Sequence, residues 1–554
     1  MKFKSVVTIV TIFILAGVLI SFYFLAPSLL ARSNDQKYFI NDGSKNVMGS
    51  GPNNAITREN ALTGTSAWKI PMGNQSTTQI QAFAGATSVK PGKSLVFYVS
   101  TQVAQTTYRI DVFRLGWYSG AGGRLMMSKQ NLVGQAQGYF DETGNRLVNC
   151  VTCTQAKDTG LIETHWKPSY TLQIPTDWVT GIYIAKLTDA NDKQFYVPFD
   201  VLGSKTSSYI ALTPDTTYAA YNIWGGSSLY DADGDFQGTS VAKRAVKVSL
   251  DKPNSVETGS SQVLTFIAQT IHWIEQNGYD VSYASDIDLQ ANPQLLDTHK
   301  AYISLGHDEY WTKSMRTSVE DARAKGIGLA FMGANAVYWQ MRFEPDAAGV
   351  PNRTIVSYKV QTSNHDLERD PMYGIDNSVV TSNWRDPVVG RPENELIGIL
   401  YSNLTHDQNG FPWRVAPQAA NLPLLKGTDL KPNQDYGCGL VGYEWDRAHF
   451  DPRNTPDSPS YSSTTPKNLH ILSSSPTISS ETKQADVSNS AYYVAPSGAL
   501  VFASGSIYWE TALDNYRLHE DTKCVGKSVA VPEMQILMKN IMDALVVKHN
   551  PNSF

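Results

Sequence analysis

The sequence predicts an α/β protein that also contains a β-sandwich and an N-terminal membrane anchor. Three patterns support this: an apolar run near the start, short alternating strands over about residues 80–202, and strands alternating with helical segments from residue 208. At 554 residues the chain is too long for one core. The predicted regions are a transmembrane anchor or signal (1–33), a tether (34–70), a β-sandwich (71–203) and an α/β domain (204–554).

The composition is that of a globular protein. Hydrophobic residues make up 42% and charged residues 18% of the chain. The formal net charge is only -5 and no long basic block occurs, so nucleic acid is not an expected partner. The 28 tyrosines and 12 tryptophans are typical of β-rich structure and aromatic-lined sites.

Four cysteines are few for this length. Cys150 and Cys153 form a C-x-x-C, whereas Cys438 and Cys524 are far apart, so the spacing does not match a four-cysteine zinc site. Disulfides Cys150–Cys153 and Cys438–Cys524 would fit an oxidising compartment. Free thiols are the alternative, and the spacing does not decide between them.

The apolar run extends from Ser5 to about Ala26. It is close to the ~20 residues that span a bilayer and longer than a signal-peptide core of ~7–15 residues. An uncleaved anchor is favoured, and a cleaved signal remains the alternative. Because Lys2 and Lys4 precede the run, we expect a single-pass cell-membrane protein whose folded body is extracytoplasmic, either periplasmic or extracellular.

The region over about residues 80–202 reads as a sandwich. Runs such as 94–99, 108–115 and 181–187 alternate apolar and polar residues between turn signals, which suggests an immunoglobulin-like or fibronectin-like fold. The glycine-rich loop at 116–123 has no helix after it, so a phosphate cradle is not expected. We expect this loop to pack against the next domain.

The α/β region contains strands near 208–212, 279–283, 301–305 and 327–333, with helices near 261–277 and from Thr312 to Lys325. This alternation predicts a mostly parallel sheet covered by helices. Residues 342–439 are polar and aromatic with little periodicity. A stretch of that kind usually forms a lid or a binding surface.

Polar motifs follow three of these strands. They are Gly306-His307-Asp308-Glu309-Tyr310-Trp311, the run from Tyr218 to Tyr230, and Gly333-Ala334-Asn335. Since the carboxyl ends of parallel strands meet at one edge of a sheet, these motifs are expected to form one site. A fourth motif, residues 442–447, cannot be placed in the sheet from the sequence.

The motifs exclude several chemistries. No G-x-S-x-G nucleophile elbow follows a strand, and HEXXH zinc spacing is absent. Carboxylate and tyrosine oxygens are hard ligands that suit a cation such as ferric iron.

These motifs, together with G-W-Y-x-G-A-G-G-R and G-Y-E-W-D-R, resemble the large (beta) subunit of N,N-dimethylformamidase and its C-terminal-domain relatives. The resemblance runs from about Tyr108 to the C-terminal helix. It implies an amidotransferase-like (flavodoxin-like) α/β domain after the sandwich. It also implies one mononuclear ferric iron held by two tyrosines and a glutamate, and hydrolysis of the C–N bond of a small-molecule amide.

The resemblance also assigns roles to six residues. The implied metal ligands are Tyr183, Tyr221 and Glu309, and the implied catalytic residues are His307, Glu444 and Asn335. Glu444 would be the general base, while His307 and Asn335 would stabilise the oxyanion. Asp308 departs from the family pattern, which has proline at this position.

The predicted function is therefore an iron-dependent hydrolase of small or N-substituted amides, anchored at the cell envelope. The alternatives are a non-catalytic envelope protein that binds a glycan or peptide, and a metal-free structural partner of a membrane complex. No small partner subunit is evident from the sequence, and a homo-oligomer is left open.

Overall fold

Two β-sheets form the N-terminal part of the structure. The computed structural model describes residues 53–203, 207–230, 244–406, 410–449, 463–516, 530–552 and 554. The strands of the two sheets are β1 (Ile80–Ala84), β2 (Ser88–Val89), β3 (Ser94–Thr101), β4 (Thr107–Leu115), β5 (Gly123–Val133), β6 (Tyr170–Gln173), β7 (Gly181–Asp189) and β8 (Gln194–Val201). The strand orders are β1-β3-β6 and β2-β8-β7-β4-β5. Side chains of both sheets share one core, in which Phe97 of β3 meets Phe199 of β8 edge-on.

A seven-stranded sheet forms the centre of the second part. Its strands are β9 (Tyr209–Thr213), β10 (Val281–Ser285), β11 (Ala301–Ser304), β12 (Gly328–Phe331), β13 (His470–Ile471), β14 (Ala491–Val494) and β15 (Leu500–Ala503). The order is β10-β9-β11-β12-β15-β14-β13, and the first five strands run parallel, whereas β14 is antiparallel to both β15 and β13. The parallel strands are buried along their whole length, which explains why they consist mainly of apolar and small residues.

The helices are short. They are α1 (Ala55–Asn60), α2 (Asp215–Tyr221), α3 (Val263–Phe266), α4 (Ala268–Gln276), α5 (Asp286–Ala291), α6 (Lys313–Lys325), α7 (Asn394–Ile397) and α8 (Pro532–Leu545). Helix α6 begins at the predicted cap: the Thr312 hydroxyl accepts a hydrogen bond from the Met315 amide, and Gly326 ends the helix in the left-handed region. The helix predicted over 261–277 is interrupted at Ile267, which separates α3 from α4.

The predicted fold class is wrong. The described residues form ten sheets, most of them with two or three strands, and few helices. The small sheets are Tyr139–Asp141 with Arg146–Val148, Thr154–Gln155 with Ile162–Glu163, Lys247–Ser249 with Thr354–Val356 and Arg342–Glu344, Tyr310–Trp311 with Trp339–Gln340, Leu400–Leu404 with Glu444–Arg447, Phe411–Arg414 with Asp435–Val441, and Ser475–Ile478 with Ala485–Ser488. The central sheet is a mixed sheet within this β-rich chain, so the structure does not show a flavodoxin-like domain. Strands this short give almost no periodic pattern, which is why the sequence did not reveal them.

The predicted localisation also needs correction. The apolar run from Ser5 to Ala26 lies outside the described residues. Among the residues that the structure describes, no helix is both long enough and apolar enough to cross a membrane. A single-pass membrane protein with an extracytoplasmic body therefore lacks support.

The three cysteines that the structure describes are oxidised. Cys150 and Cys153 form a disulfide, and Cys438 is also disulfide-bonded. The predicted partner of Cys438, Cys524, lies outside the described residues.

A buried ion pair joins the sandwich to the helices beside the central sheet. The Arg114 guanidinium on β4 lies 2.8 Å from the Glu275 carboxylate on α4, and both side chains are fully buried. Asn60 of α1 donates to the same carboxylate and accepts hydrogen bonds from the amides of Trp117 and Tyr118. Gly116 of the glycine-rich loop lies against Glu275 and Gly122 lies against His272, so the loop packs against the next region, as predicted.

Replacing Arg114 by Met should lower the free energy of unfolding by about 3–5 kcal/mol, because it leaves the Glu275 carboxylate buried without its counter-ion. The double variant Arg114→Met/Glu275→Leu should recover part of the loss. Urea denaturation measures both. The exposed pair of Arg414 and Asp435 is the control, and removing Arg414 should change stability far less, because solvent screens that pair. Equal losses for Arg114 and Arg414 would contradict this assignment.

Candidate functional site

The carboxyl ends of three parallel strands meet, as the sequence predicts. Leu212 of β9 pairs with Ser304 of β11, and Ser304 pairs with Phe331 of β12, so the three strands end at the same level. Helix α2 follows β9. The Gly306–Glu309 turn follows β11, and the turn that contains Asn335 follows β12. Polar side chains from separate parts of the chain therefore lie at one edge of the sheet.

The centre of this edge is a carboxylate between two phenols. The Tyr221 hydroxyl donates to Glu309 Oε2 at 2.8 Å, and the Tyr230 hydroxyl lies 2.7 Å and 2.8 Å from the two carboxylate oxygens. The two tyrosine rings stack with centroids 4.3 Å apart. Because Glu309 is only 2% exposed, the protein supplies almost the whole environment of its charge.

Helix α2 fixes both the backbone and the side chain of Glu309. Thr217 and Tyr221 are one turn apart on this helix and face the same way. The Thr217 hydroxyl oxygen accepts a hydrogen bond from the Glu309 amide at 2.9 Å, while Tyr221 reaches the carboxylate. On the other side, the Tyr338 amide donates to the Glu309 carbonyl at 2.9 Å.

A buried lysine shapes the segment between the two tyrosines. The Lys252 ammonium donates to the carbonyls of Asn222, Trp224 and Ser227 at 3.1, 2.9 and 3.1 Å. In its protonated form Lys252 uses all three hydrogens to hold one loop, and burial lowers its pKa to about 7. That loop brings Tyr230 back beside Tyr221.

His307 and Glu444 lie next to Glu309. The Nε2 atom of His307 is 3.4 Å from Glu309 Oε2 and 3.1 Å from Glu444 Oε2, and the imidazole is fully buried. The Tyr443 hydroxyl is 3.2 Å from His307 Nδ1. Charges on Glu444 and Glu309 outweigh the effect of burial and raise the pKa of His307.

The position of Glu444, which the sequence left open, is set by the loop after β15. Trp445 of the strand Glu444–Arg447 forms an isolated antiparallel β-bridge with Ser506. The Asp446 amide of the same strand donates to the Gly505 carbonyl at 3.0 Å. The carboxylate of Asp446 in turn accepts the Asn335 amide at 2.8 Å. The two predicted residues Glu444 and Asn335 are thus linked through Asp446.

His307 Nε2 and Glu444 Oε2 lie 3.1 Å apart but are not aligned for a hydrogen bond, and neither these two buried atoms nor Asn335 Oδ1 has another hydrogen-bond partner. Buried polar atoms are nearly always paired, so these point toward a group that they would contact. Two phenols and a carboxylate are hard oxygen donors, which suit a highly charged cation. The residues present therefore fit a ferric ion.

The pKa values of the two tyrosines show what a bound cation would change. Burial, together with the charge of Glu309, raises the pKa of both Tyr221 and Tyr230. Burial also raises the pKa of Glu309, although His307 and Lys359 oppose the shift. The Lys359 ammonium lies 3.4 Å from the centre of the Tyr230 ring. Only a strong nearby positive charge would convert these phenols to phenolates at neutral pH.

The structure does not bring Tyr183 to this cluster. Tyr183 lies in the sandwich core on β7, stacks on Trp178 with centroids 4.9 Å apart, and donates to the Val179 carbonyl at 2.7 Å. The second tyrosine beside the Glu309 carboxylate is Tyr230. The sequence contained a signal for it, since Tyr230 closes the polar run that begins at Tyr218.

The contacts of Asp308 stabilise the turn in which it lies. Its carboxylate accepts hydrogen bonds from the Ser304 hydroxyl and the Trp311 indole, both at 2.6 Å. Burial raises its pKa to about 6, with these two hydrogen bonds opposing the shift. Asp308 therefore braces the turn that presents His307 and Glu309.

Fold and site together define a β-rich protein with a buried tyrosine, glutamate and histidine centre. Comparison with known families gives a closer identification. The chain belongs to the family described as N,N-dimethylformamidase beta subunit-like, C-terminal, whose model matches residues 109–523. The predicted family relationship is confirmed.

Individual relatives are more distant. The N,N-dimethylformamidase beta subunits of Alcaligenes sp and Paracoccus aminophilus are each 23% identical over 223 residues, which is 34% of this chain and 29% of each relative. The chain thus matches less than a third of their length. The structure of a Paenibacillus cycloisomaltooligosaccharide glucanotransferase aligns over 51% of this chain and 34% of its own, at 10% identity. Its TM-score of 0.14 is too low to indicate a shared fold.

Replacing Lys252 by Met should destabilise the protein by at least about 3 kcal/mol, because three buried carbonyls each lose a hydrogen-bond donor. Chemical denaturation provides the measurement. Lys247→Met is the matched control, since Lys247 pairs with the half-exposed Glu344 and should contribute no more than about 1 kcal/mol. A Lys252 variant as stable as the Lys247 variant would show that the loop does not depend on this lysine.

Proposed function

We propose that this protein is an amide hydrolase that holds one ferric ion through Tyr221, Tyr230 and Glu309. The observation that carries the proposal is the convergence of two phenols on one buried carboxylate, beside His307 and Glu444 atoms that lack hydrogen bonds. Family membership supports the same reading, because the curated relatives are named as formamidase subunits.

When bound, a ferric ion would act as a Lewis acid on an amide carbonyl and would lower the pKa of a water molecule. The protein's own residues have three further tasks. They must exclude bulk solvent, accept a proton from the attacking water, and stabilise charge that develops on the carbonyl oxygen. The burial of Glu309, His307 and Glu444 meets the first requirement.

Glu444 is suited to the role of general base. Its Oε2 atom is buried without a hydrogen bond and faces His307 Nε2. A carboxylate in this position can take the proton from water and return it to the leaving amine, which must be protonated to depart. The strand from Glu444 to Arg447 holds it rigidly.

His307 and Asn335 are suited to stabilising the oxyanion. If Tyr443 donates to His307 Nδ1, the imidazole keeps its hydrogen on Nε2, the atom directed at the centre. Asp446 holds the Asn335 backbone, and the Nδ2 group of the Asn335 side chain would be the donor, since its Oδ1 atom can only accept. A preorganised donor of this kind contributes about 3 kcal/mol to transition-state stabilisation.

An apolar wall next to His307 favours N-substituted amides. Phe266, Tyr443 and Tyr508 form an aromatic cluster with ring centroids 5.9–6.3 Å apart, and the Tyr443 ring meets the His307 ring edge-on. Alkyl groups on the amide nitrogen would find apolar contacts there.

The full-length protein purified after growth with iron should contain about one iron per chain and absorb visible light through phenolate-to-iron charge transfer. Tyr221→Phe, Tyr230→Phe and Glu309→Gln should each lose most of the iron or the absorption, because each removes a donor. Iron analysis and visible spectroscopy measure the two quantities.

The control for this experiment is Tyr183→Phe, which removes a buried tyrosine hydroxyl outside the cluster and should leave iron and colour unchanged. A colourless, iron-free wild-type protein would defeat the proposal and favour the non-catalytic alternative. Loss of iron in Tyr183→Phe alone would show that the ligand set is wrong.

Glu444→Gln should retain the iron and its absorption but lose hydrolysis by about 10²–10⁴-fold, since the amide cannot accept the proton. N,N-dimethylformamide is the first substrate to test, with release of dimethylamine as the assay. Undiminished hydrolysis by Glu444→Gln would exclude Glu444 as the base.

A further inference from the structure

We propose that Tyr310 is a positioning residue that donates a hydrogen bond to Tyr230 and weakens the electron donation of this phenolate to the iron. The inference rests on the proposed function, because it concerns the environment of one of the proposed ligands. It adds a residue that acts on the centre through Tyr230.

The hydrogen bond is direct and buried. The Tyr310 hydroxyl donates to the Tyr230 oxygen at 2.7 Å, and the two rings are nearly perpendicular at 89°. Tyr310 is fully buried, so water does not compete for this contact. The Tyr230 oxygen is therefore shared between the Glu309 carboxylate and the Tyr310 hydroxyl.

The donor is held in place by its backbone. The Tyr310 amide lies 3.3 Å from the Thr217 hydroxyl oxygen, and the Tyr310 carbonyl accepts the Thr216 hydroxyl at 2.7 Å. Tyr310 also pairs with Trp339 in a short parallel ladder. Helix α2 thus positions Tyr221 directly and Tyr230 indirectly, through Tyr310.

A hydrogen bond to an anion is stronger than one between neutral groups, and burial strengthens it further. If Tyr230 is a phenolate, the Tyr310 hydrogen bond stabilises the charge on its oxygen. The Lys359 ammonium over the Tyr230 ring acts in the same direction. Stabilised charge is donated less readily to a metal, which is how groups around a ligand tune a metal centre.

Tyr310→Phe keeps the ring and removes the hydroxyl. The iron-loaded variant should bind the same amount of iron, with its charge-transfer band moved to longer wavelength and its ferric-to-ferrous potential lowered. The matched control is Tyr492→Phe, since Tyr492 is a buried tyrosine whose hydroxyl makes no hydrogen bond. Its band should not move.

Resonance Raman spectroscopy gives a second test, and its first measurement uses the wild-type iron protein alone. The phenolate C–O stretch of Tyr230 should shift between H₂O and D₂O because its oxygen accepts an exchangeable hydrogen, and Tyr310→Phe should abolish that shift. Iron-loaded protein with no deuterium-sensitive mode, and with the same band in Tyr310→Phe, would overturn the inference and leave the proposed function intact. Protein that binds no iron would overturn both.

Discussion

The burial of the Glu309 carboxylate is the constraint on which the rest of the site depends. A buried carboxylate is costly unless hydrogen bonds or a cation compensate for lost water. Here Tyr221 and Tyr230 both donate to it, and Thr217 holds its backbone. All three residues lie in the segment after β9. This one stretch of chain therefore supplies the hydrogen bonds that offset the burial of Glu309, which lies in the turn after β11.

The supports around this centre are themselves buried and polar. Lys252 holds the loop between the two tyrosines through three carbonyls, and Asp446 ties the Asn335 turn to the strand of Glu444. Such supports keep donors within narrow limits, which is what a preorganised centre requires. The proposed hydrolase chemistry needs this rigidity because Glu444 and His307 must face the same point.

Part of this arrangement could be predicted from the sequence. Apolar runs marked β9, β11 and β12, and the rule for parallel strands then placed Tyr221, Glu309 and Asn335 at one edge. The fold class was wrong because most of the remaining strands are short antiparallel pairs. Their partners are set by contacts distant in the chain, as when Leu400–Leu404 pairs with Glu444–Arg447. Such pairs leave little local pattern.

The sequence by itself determined the kind of chemistry: phenol, carboxylate and imidazole groups at strand ends, and the family to which the chain belongs. Only the tertiary structure decided which tyrosines take part. The alternating pattern of its strand shows that Tyr183 faces one side of the sheet. It does not show that this side faces the sandwich core. Tyr230 follows a loop whose path is set by Lys252, more than twenty residues later in the chain. Contacts of that kind arise only when the chain is packed.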